Sequence, residues 1–260
     1  MTEDAVFEAL ALECRVDKYG TVRYFNTLGE LHRVYGPAIE YPNRRREWYQ
    51  NGQRHRVDGP AVESPDGYRA WYQNGLLHRL DGPAIEWEDD YHHAWYHNGE
   101  LHRVDGPAVE YSDGRREWYQ NGQRHRLDGP AIEYSGGRRE WYQNGQRHRL
   151  DGPAIDYSGG RREWYQNGQL HRLDGPAIEY SDGRREWYQN GQLHRLDGPA
   201  VERTDGYRAW YINDQLHGLD EPAVGQSSWV RTCISMAKNW LPLKWARKWL
   251  VWSLYDWCIV

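Results

Sequence analysis

The chain has 260 residues, 38% of them hydrophobic, and a net charge of −5; with a mean hydropathy of −1.03 it lacks the material for a conventional aliphatic core. Its apolar weight is aromatic, 15 Trp and 20 Tyr against 2 Phe, so most buried rings carry a polar handle that needs a partner. The acidic balance argues against nucleic acid as a partner, and Cys14, Cys233 and Cys258 form no metal or disulfide spacing, which fits a reducing, cytoplasmic compartment.

Residues 1–18 form an acidic N-terminal segment without the basic head and long apolar run of a signal peptide. From residue 19 to residue 226 the chain repeats itself. A histidine restarts the unit at His32, His55, His78, His102, His125, His148, His171 and His194, with a degenerate ninth start at His217. The step is 23 residues each time except one of 24, whose extra residue falls in EDDYHHAW between Glu88 and Trp95 and marks a tolerant turn. The final unit, HGLDEPAVG, loses the Arg and Gly of the others, as a terminal repeat with one neighbour does.

Within a unit, AIEYS, then DG or GG, then RREWYQ, then NG, then QLHR reads as β-branched and aromatic strands joined by strong turn dipeptides. In LDGP the glycine permits positive φ and the proline fixes φ. The predicted fold class is mainly β: an elongated antiparallel β-meander of tandem 23-residue repeats, with two long strands per unit and an advance of ~10 Å per unit.

Differences between copies show which residues belong together. Three residues and one residue before the tryptophan stand Arg115/Glu117, Arg138/Glu140, Arg161/Glu163 and Arg184/Glu186, but Tyr68/Ala70, His92/Ala94 and Tyr207/Ala209 elsewhere. The two positions change as a pair, and residues two apart on a strand share a face. The invariant Trp48, Trp71, Trp95, Trp118, Trp141, Trp164, Trp187 and Trp210 point the other way, and theirs is expected to be the buried face. The repeats use Arg and no Lys, which suits stacking on rings and pairing with carboxylates. Arg116 is expected to stack on Trp118. As an alternative role, the rows Arg116/Trp118, Arg139/Trp141, Arg162/Trp164 and Arg185/Trp187 would bind anionic aromatic ligands such as nucleotides, one per unit.

With Tyr119-Gln120-Asn121-Gly122-Gln123-Arg124-His125, the unit resembles the MORN repeat, a β-hairpin module with a W-x-N-G-x-x-H-G-x-G heart. Tyr119 stands where that family usually has Trp. The second half departs from it: His125-Arg126-Leu127-Asp128-Gly129-Pro130 is one residue longer and has Arg in place of the first Gly. The resemblance covers about four-fifths of the chain and implies a hairpin array. For activity it implies the range of that family: scaffolds, membrane tethers, dimerisation modules and antitoxin-like partners.

No metal, cofactor or catalysis is expected. Equivalent histidines in successive units lie ~10 Å apart, too far to share one zinc ion. His125 and its counterparts are expected to hydrogen-bond the Asp three residues on. Nearly equal units do not supply the irregular constellation that an active site needs, and the His92, His93, His97 cluster reads as a polar turn.

The tail, residues 227–260, changes character. Trp229, Cys233, Met236 and Trp240 fall at helical intervals, Pro242 ends or kinks that helix, and a second segment follows, with Lys244, Arg247 and Lys248 forming a basic stripe. Six of the chain's Trp lie here and the tail is +4, the composition of an interfacial amphipathic helix rather than a spanning one. Trp229 to Leu241 is expected to cap the array. Trp240, Lys244, Trp245, Arg247, Lys248, Trp249, Trp252 and Trp257 are the candidate contacts to a membrane surface, a partner protein or a second copy of the chain. The function expected is a non-catalytic scaffold, cytoplasmic or peripheral to a membrane. A membrane-damaging effector with the repeats as sensor is a further alternative.

Overall fold

A computed structural model describes residues 12–88 and 92–220. The helices expected over 227–260, and the tip of the turn with the extra residue, lie outside these. The chain divides into two compact units, Met1–Ser158 and Gly159–Val260. Each is an antiparallel β-meander, with no helix among the described residues.

In the first unit the sheet begins within the N-terminal segment, where Glu13–Val16 pairs with Val22–Phe25. It then takes two strands from each repeat. Arg116–Glu117 pairs with Ile132–Glu133, which pairs with Arg139–Glu140, which pairs with Ile155–Asp156. In the second unit Arg162–Glu163, Ile178–Glu179, Arg185–Glu186 and Val201–Glu202 continue the same pattern.

Most of the described repeats hold four two-residue strands, not two long ones; the exceptions are the three-residue Ile85–Trp87 and His92–Ala94 and the longer Arg208–Ile212 and Gln215–Asp220. The run Arg116 to Gln120 is interrupted at Trp118, whose N–H donates to Ala131 O at 2.8 Å while its carbonyl accepts from His125 N at 3.1 Å. The residues before Trp118 thus belong to the meander. Those after it, Tyr119–Gln120, form a small hairpin with Gln123–Arg124. Neighbouring hairpins are tied by Gly145 N to Arg124 O at 3.0 Å and Arg126 N to Tyr142 O at 3.2 Å.

Both turn dipeptides are present, in different geometries. At Asn121-Gly122 both residues have positive φ, 48° and 71°, which is the type I′ hairpin turn. At Ser112-Asp113-Gly114 the turn runs from Tyr111 to Arg115, and of its residues only Gly114 has positive φ, 85°. Asp113 accepts from Arg115 N at 2.9 Å; the positive-φ position is glycine here but Arg44, φ 69°, in the first repeat, and Asp, Gly or Asn precedes it.

The indoles pack on the core as expected, Trp118 against Ala131, Ile132 and Tyr142 and Trp48 at 8% exposure, but the face that carries Glu117 is buried as well, which was not expected. Glu47, Glu117 and Glu140 are 1–2% exposed, and Glu163 and Glu186 are 4% and 6% exposed. Beside them lie Ala131 and its equivalents at 0% and the following Val or Ile, such as Ile132 and Ile155. Most of the indoles are only half-buried. A carboxylate is tolerated here because each of its oxygens faces an arginine. Glu117 pairs with Arg115 on one oxygen; its other oxygen accepts from Tyr119 Oη at 2.7 Å and Arg124 Nε at 3.2 Å. The arginines alternate with tyrosine rings: Arg115 sits 5.0 Å from both Tyr111 and Tyr134, and Arg138 sits 5.1 Å from Tyr134 and 4.7 Å from Tyr157. This ion pair explains why the two positions change together. Where Ala70, Ala94 or Ala209 replaces the carboxylate, the arginine is gone as well.

Burial, the hydrogen bond to Glu117 and its charge hold the Tyr119 hydroxyl up at about 12. A phenol whose folded pKa exceeds the unfolded value, ~10, contributes stability that is fully present below pH ~10 and is lost as pH rises through about 12. In a tyrosinate absorbance titration, Tyr119→Phe is expected to remove one late step near that pH. An unchanged late limb would show that Tyr119 is not held in this way.

Candidate functional site

The arginine that follows the histidine lies on a tryptophan in seven of the described repeats. Arg126 Cζ lies 4.0 Å from the centre of the Trp118 ring, and Arg56, Arg79, Arg103 and Arg149 lie 3.9–4.0 Å from theirs. In the second unit Arg172 and Arg195 do the same at 4.0 Å. The Arg–Trp stack expected from composition therefore exists, but the arginine comes from the HRxDGP turn. Arg116, Arg139, Arg162 and Arg185 occupy exposed strand positions, and Arg116 stands opposite Glu133 in the ladder. Of the proposed ligand rows, Trp118, Trp141, Trp164 and Trp187 each already carry a guanidinium on the ring.

Each stacked arginine also organises its turn. Arg126 donates from Nε to Asp128 at 3.0 Å and from Nη1 to Pro130 O at 3.2 Å and Glu133 at 3.3 Å. Gly129, for which positive φ was expected, is not among the positive-φ residues. It is glycine for a different reason: a Cβ there would meet Arg126 Cζ at 2.9 Å. The guanidinium lies in the space between the indole and this bare backbone.

The histidines also differ from expectation. His125 meets the next repeat rather than the Asp of its own turn: its Nδ1 accepts from Asn144 N at 3.2 Å. His55 with Asn74 and His102 with Asn121 repeat this contact in the first unit, and His171 with Asn190 in the second. Asp128 is taken by Arg126. Among the described residues no group of three or more His, Cys, Asp or Glu is placed to hold a metal ion.

Trp, Arg, Gly, His, Asn and the buried Ala each have a structural duty in the repeat. The residue between Arg and Asp of the turn faces solvent instead. Val57, Leu80, Val104, Leu127 and Leu150 are 76–82% exposed in the first unit, and Leu173 and Leu196 are 76% and 78% exposed in the second. Single exposed aliphatic residues need no explanation. Here the position alternates between Val and Leu and stays apolar even in the units around His78 and His102, which have lost the Arg–Glu pair. This row went unread in the sequence, although the invariably aliphatic x of HRxDGP was a visible signal. The Asp that follows is nearly as open, with Asp58, Asp81, Asp105, Asp128 and Asp151 side chains 84–89% exposed. The Arg126 guanidinium beside Asp128 holds that carboxyl below the usual range.

If the row has no part in folding, Leu80→Ser with Leu127→Ser is expected to change stability by less than ~0.5 kcal/mol per site. Chemical denaturation of the full chain followed by tryptophan fluorescence checks this, and a larger loss would make the row structural.

Trp240, Lys244, Trp245, Arg247, Lys248, Trp249, Trp252 and Trp257 lie outside the described residues. No family model matches the chain, and no curated protein proved similar to it.

Proposed function

We propose that the chain is a non-catalytic, MORN-like repeat scaffold of the cytoplasm whose working surface is the row of HRxDGP turns. Residues 227–260 attach it to a membrane surface or a partner protein. The observation that carries this reading is the recurrence, once per repeat, of an exposed Val or Leu beside an exposed Asp. A side chain repeated without a structural duty is the one that remains for binding. The tail's six Trp and +4 charge suit attachment to an anionic or acidic surface.

The test is quantitative capture of partners by three forms: the full chain, its Leu80→Ser, Val104→Ser, Leu127→Ser variant, and a chain ending at Gln226. The serine variant is expected to lose a defined set of partners while keeping its melting profile. The shortened chain is expected to lose flotation with anionic vesicles. Identical partner sets for wild type and serine variant remove the row from the function, and equal flotation removes the tail.

A further inference from the structure

We propose that the outer edge of the strand Glu13–Val16 pairs antiparallel with the same strand of a second copy of this chain. Cys14 then faces Cys14 across a two-fold axis, and Glu13 of each copy faces Arg15 of the other. The pairing concerns the first unit alone and is independent of what the turn row or residues 227–260 bind.

Backbone direction gives the edge. Cys14 stands opposite Tyr24 in the hairpin, but the Tyr24 N–H donates to Ala38 O at 2.9 Å and its carbonyl accepts from His32 N at 3.0 Å, so neither group is left for Cys14. Facing residues of an antiparallel pair exchange two hydrogen bonds or none. Cys14 and, two residues on, Val16 therefore turn their N–H and C=O groups outward. Among the described residues no second strand meets them. All four residues of the strand are exposed, Val16 at 64% and the Glu13 and Arg15 side chains at 57%.

Side chains select the mate. Outward-turned residues bond only with outward-turned residues, so the allowed registers put even-numbered positions opposite even-numbered ones. With Cys14 opposite Cys14, Glu13 faces Arg15 twice on one surface of the joined sheet, and Leu12 faces Val16 twice on the other. One allowed step to either side places Arg15 opposite Arg15 and Glu13 opposite Asp17, or Glu13 opposite Glu13, and like charges directly opposite each other destabilise a sheet. With Val16 opposite Val16, Arg15 would need Asp17, which is already held by Arg23 at 2.9 Å and by the N–H groups of Tyr19 and Thr21. That bond also neutralises Arg23, the neighbour of Arg15 in the ladder. A parallel mate in register sets Glu13 beside Glu13 and Arg15 beside Arg15. Charges on an edge strand ordinarily keep other strands away; in the order Glu-Cys-Arg they admit the same strand reversed. The contact is isologous and closes at two copies.

Sedimentation equilibrium of the full chain tests the pairing. An edge this short belongs to the small, transient class of interface, so the wild type is expected to form a reversible dimer with a Kd of about 10–100 μM. Arg15→Glu leaves two acidic residues on each edge, and Glu13→Arg leaves two basic ones. Each is expected to weaken self-association at least about tenfold while keeping the wild-type melting profile, because both side chains are exposed. An equimolar mixture of the two variants is expected to regain wild-type association, as is the double exchange Glu13→Arg, Arg15→Glu. In a Cys233→Ser, Cys258→Ser background, a short bis-maleimide is expected to join Cys14 to Cys14 in the otherwise unchanged chain and in the mixture, and not in either charge variant alone. A wild type that stays monomeric at about 500 μM, self-association that Arg15→Glu leaves unchanged, or a mixture no tighter than its two components overturns the proposal.

Discussion

Replacing Arg115 by Tyr and Arg124 by Leu while keeping Glu117 is expected to destabilise the first unit by about 3–5 kcal/mol, because a buried carboxylate is left without a counter-charge. Adding Glu117→Ala is expected to restore the repeat to within about 1 kcal/mol of wild type. The triple change reproduces a set that the chain already uses: Tyr68, Ala70 and Leu77 in one repeat, Tyr207, Ala209 and Leu216 in another. In both of those the alanine is fully buried. A third substitution that rescues two others distinguishes a compensated ion pair from simple packing. Hydrogen exchange at Trp118, Ala131 and Ile132 in the full chain reads the effect locally, which matters because repeats open piecemeal. Equal destabilisation of the double and triple variants would refute the compensated core.

Much of this architecture was legible in the sequence because hairpin chemistry is local. Asn121-Gly122 specifies its turn by itself, and the linked change at Arg115 and Glu117 reports a contact that the structure contains. The burial of the glutamate was not legible. Counting apolar residues pointed to Trp118, which does pack against Ala131, Ile132 and Tyr142 with Arg126 over its ring, but gave no sign that Glu117 is 1% exposed. Hydrophobicity ranks a lone glutamate as solvated, and its burial depends on partners, here Arg115, Tyr119 and Arg124; Glu163 and Glu186 stay buried with the Arg and Tyr alone, Leu170 and Leu193 standing in place of the third. Two of the Glu117 partners lie two residues from it, within reach of sequence reasoning. Arg124 arrives across the hairpin. The break of each strand at Trp118 was hidden for a related reason: it depends on Ala131, 13 residues away, accepting the Trp118 N–H. The His125 contact to Asn144 reaches across 19 residues into the next repeat, so a reading confined to one unit assigned that histidine to Asp128 instead.

Gly129→Ala is expected to change sign with its background. The backbone φ at Gly129 lies outside the left-handed region, so alanine is conformationally acceptable and by itself tends to stabilise, by about 0.4–1 kcal/mol, through the unfolded chain. In the wild-type protein that gain is overwhelmed. The new methyl would lie 2.9 Å from Arg126 Cζ and 3.0 Å from Nε, forcing the guanidinium off Trp118 and away from Asp128, Pro130 and Glu133. The stack and the charged hydrogen bonds together are worth about 2–3 kcal/mol, so Gly129→Ala is expected to destabilise by about that much. With Arg126→Ala already in place the space is vacant, and the same glycine change is expected to be neutral or slightly stabilising. Arg126→Lys is expected to behave like Arg126→Ala, because an ammonium lacks the flat face and the fork that engage the indole and three oxygens at once. The four-member cycle is measured by denaturation of the full chain with tryptophan fluorescence. Arg126 removal should raise the emission wavelength and quench accessibility of Trp118, a signature that a turn defect alone would not produce. Equal losses for Gly129→Ala in both backgrounds would mean that the glycine serves the turn and not the arginine, and the Trp–Arg–Gly sandwich would then have no energetic standing.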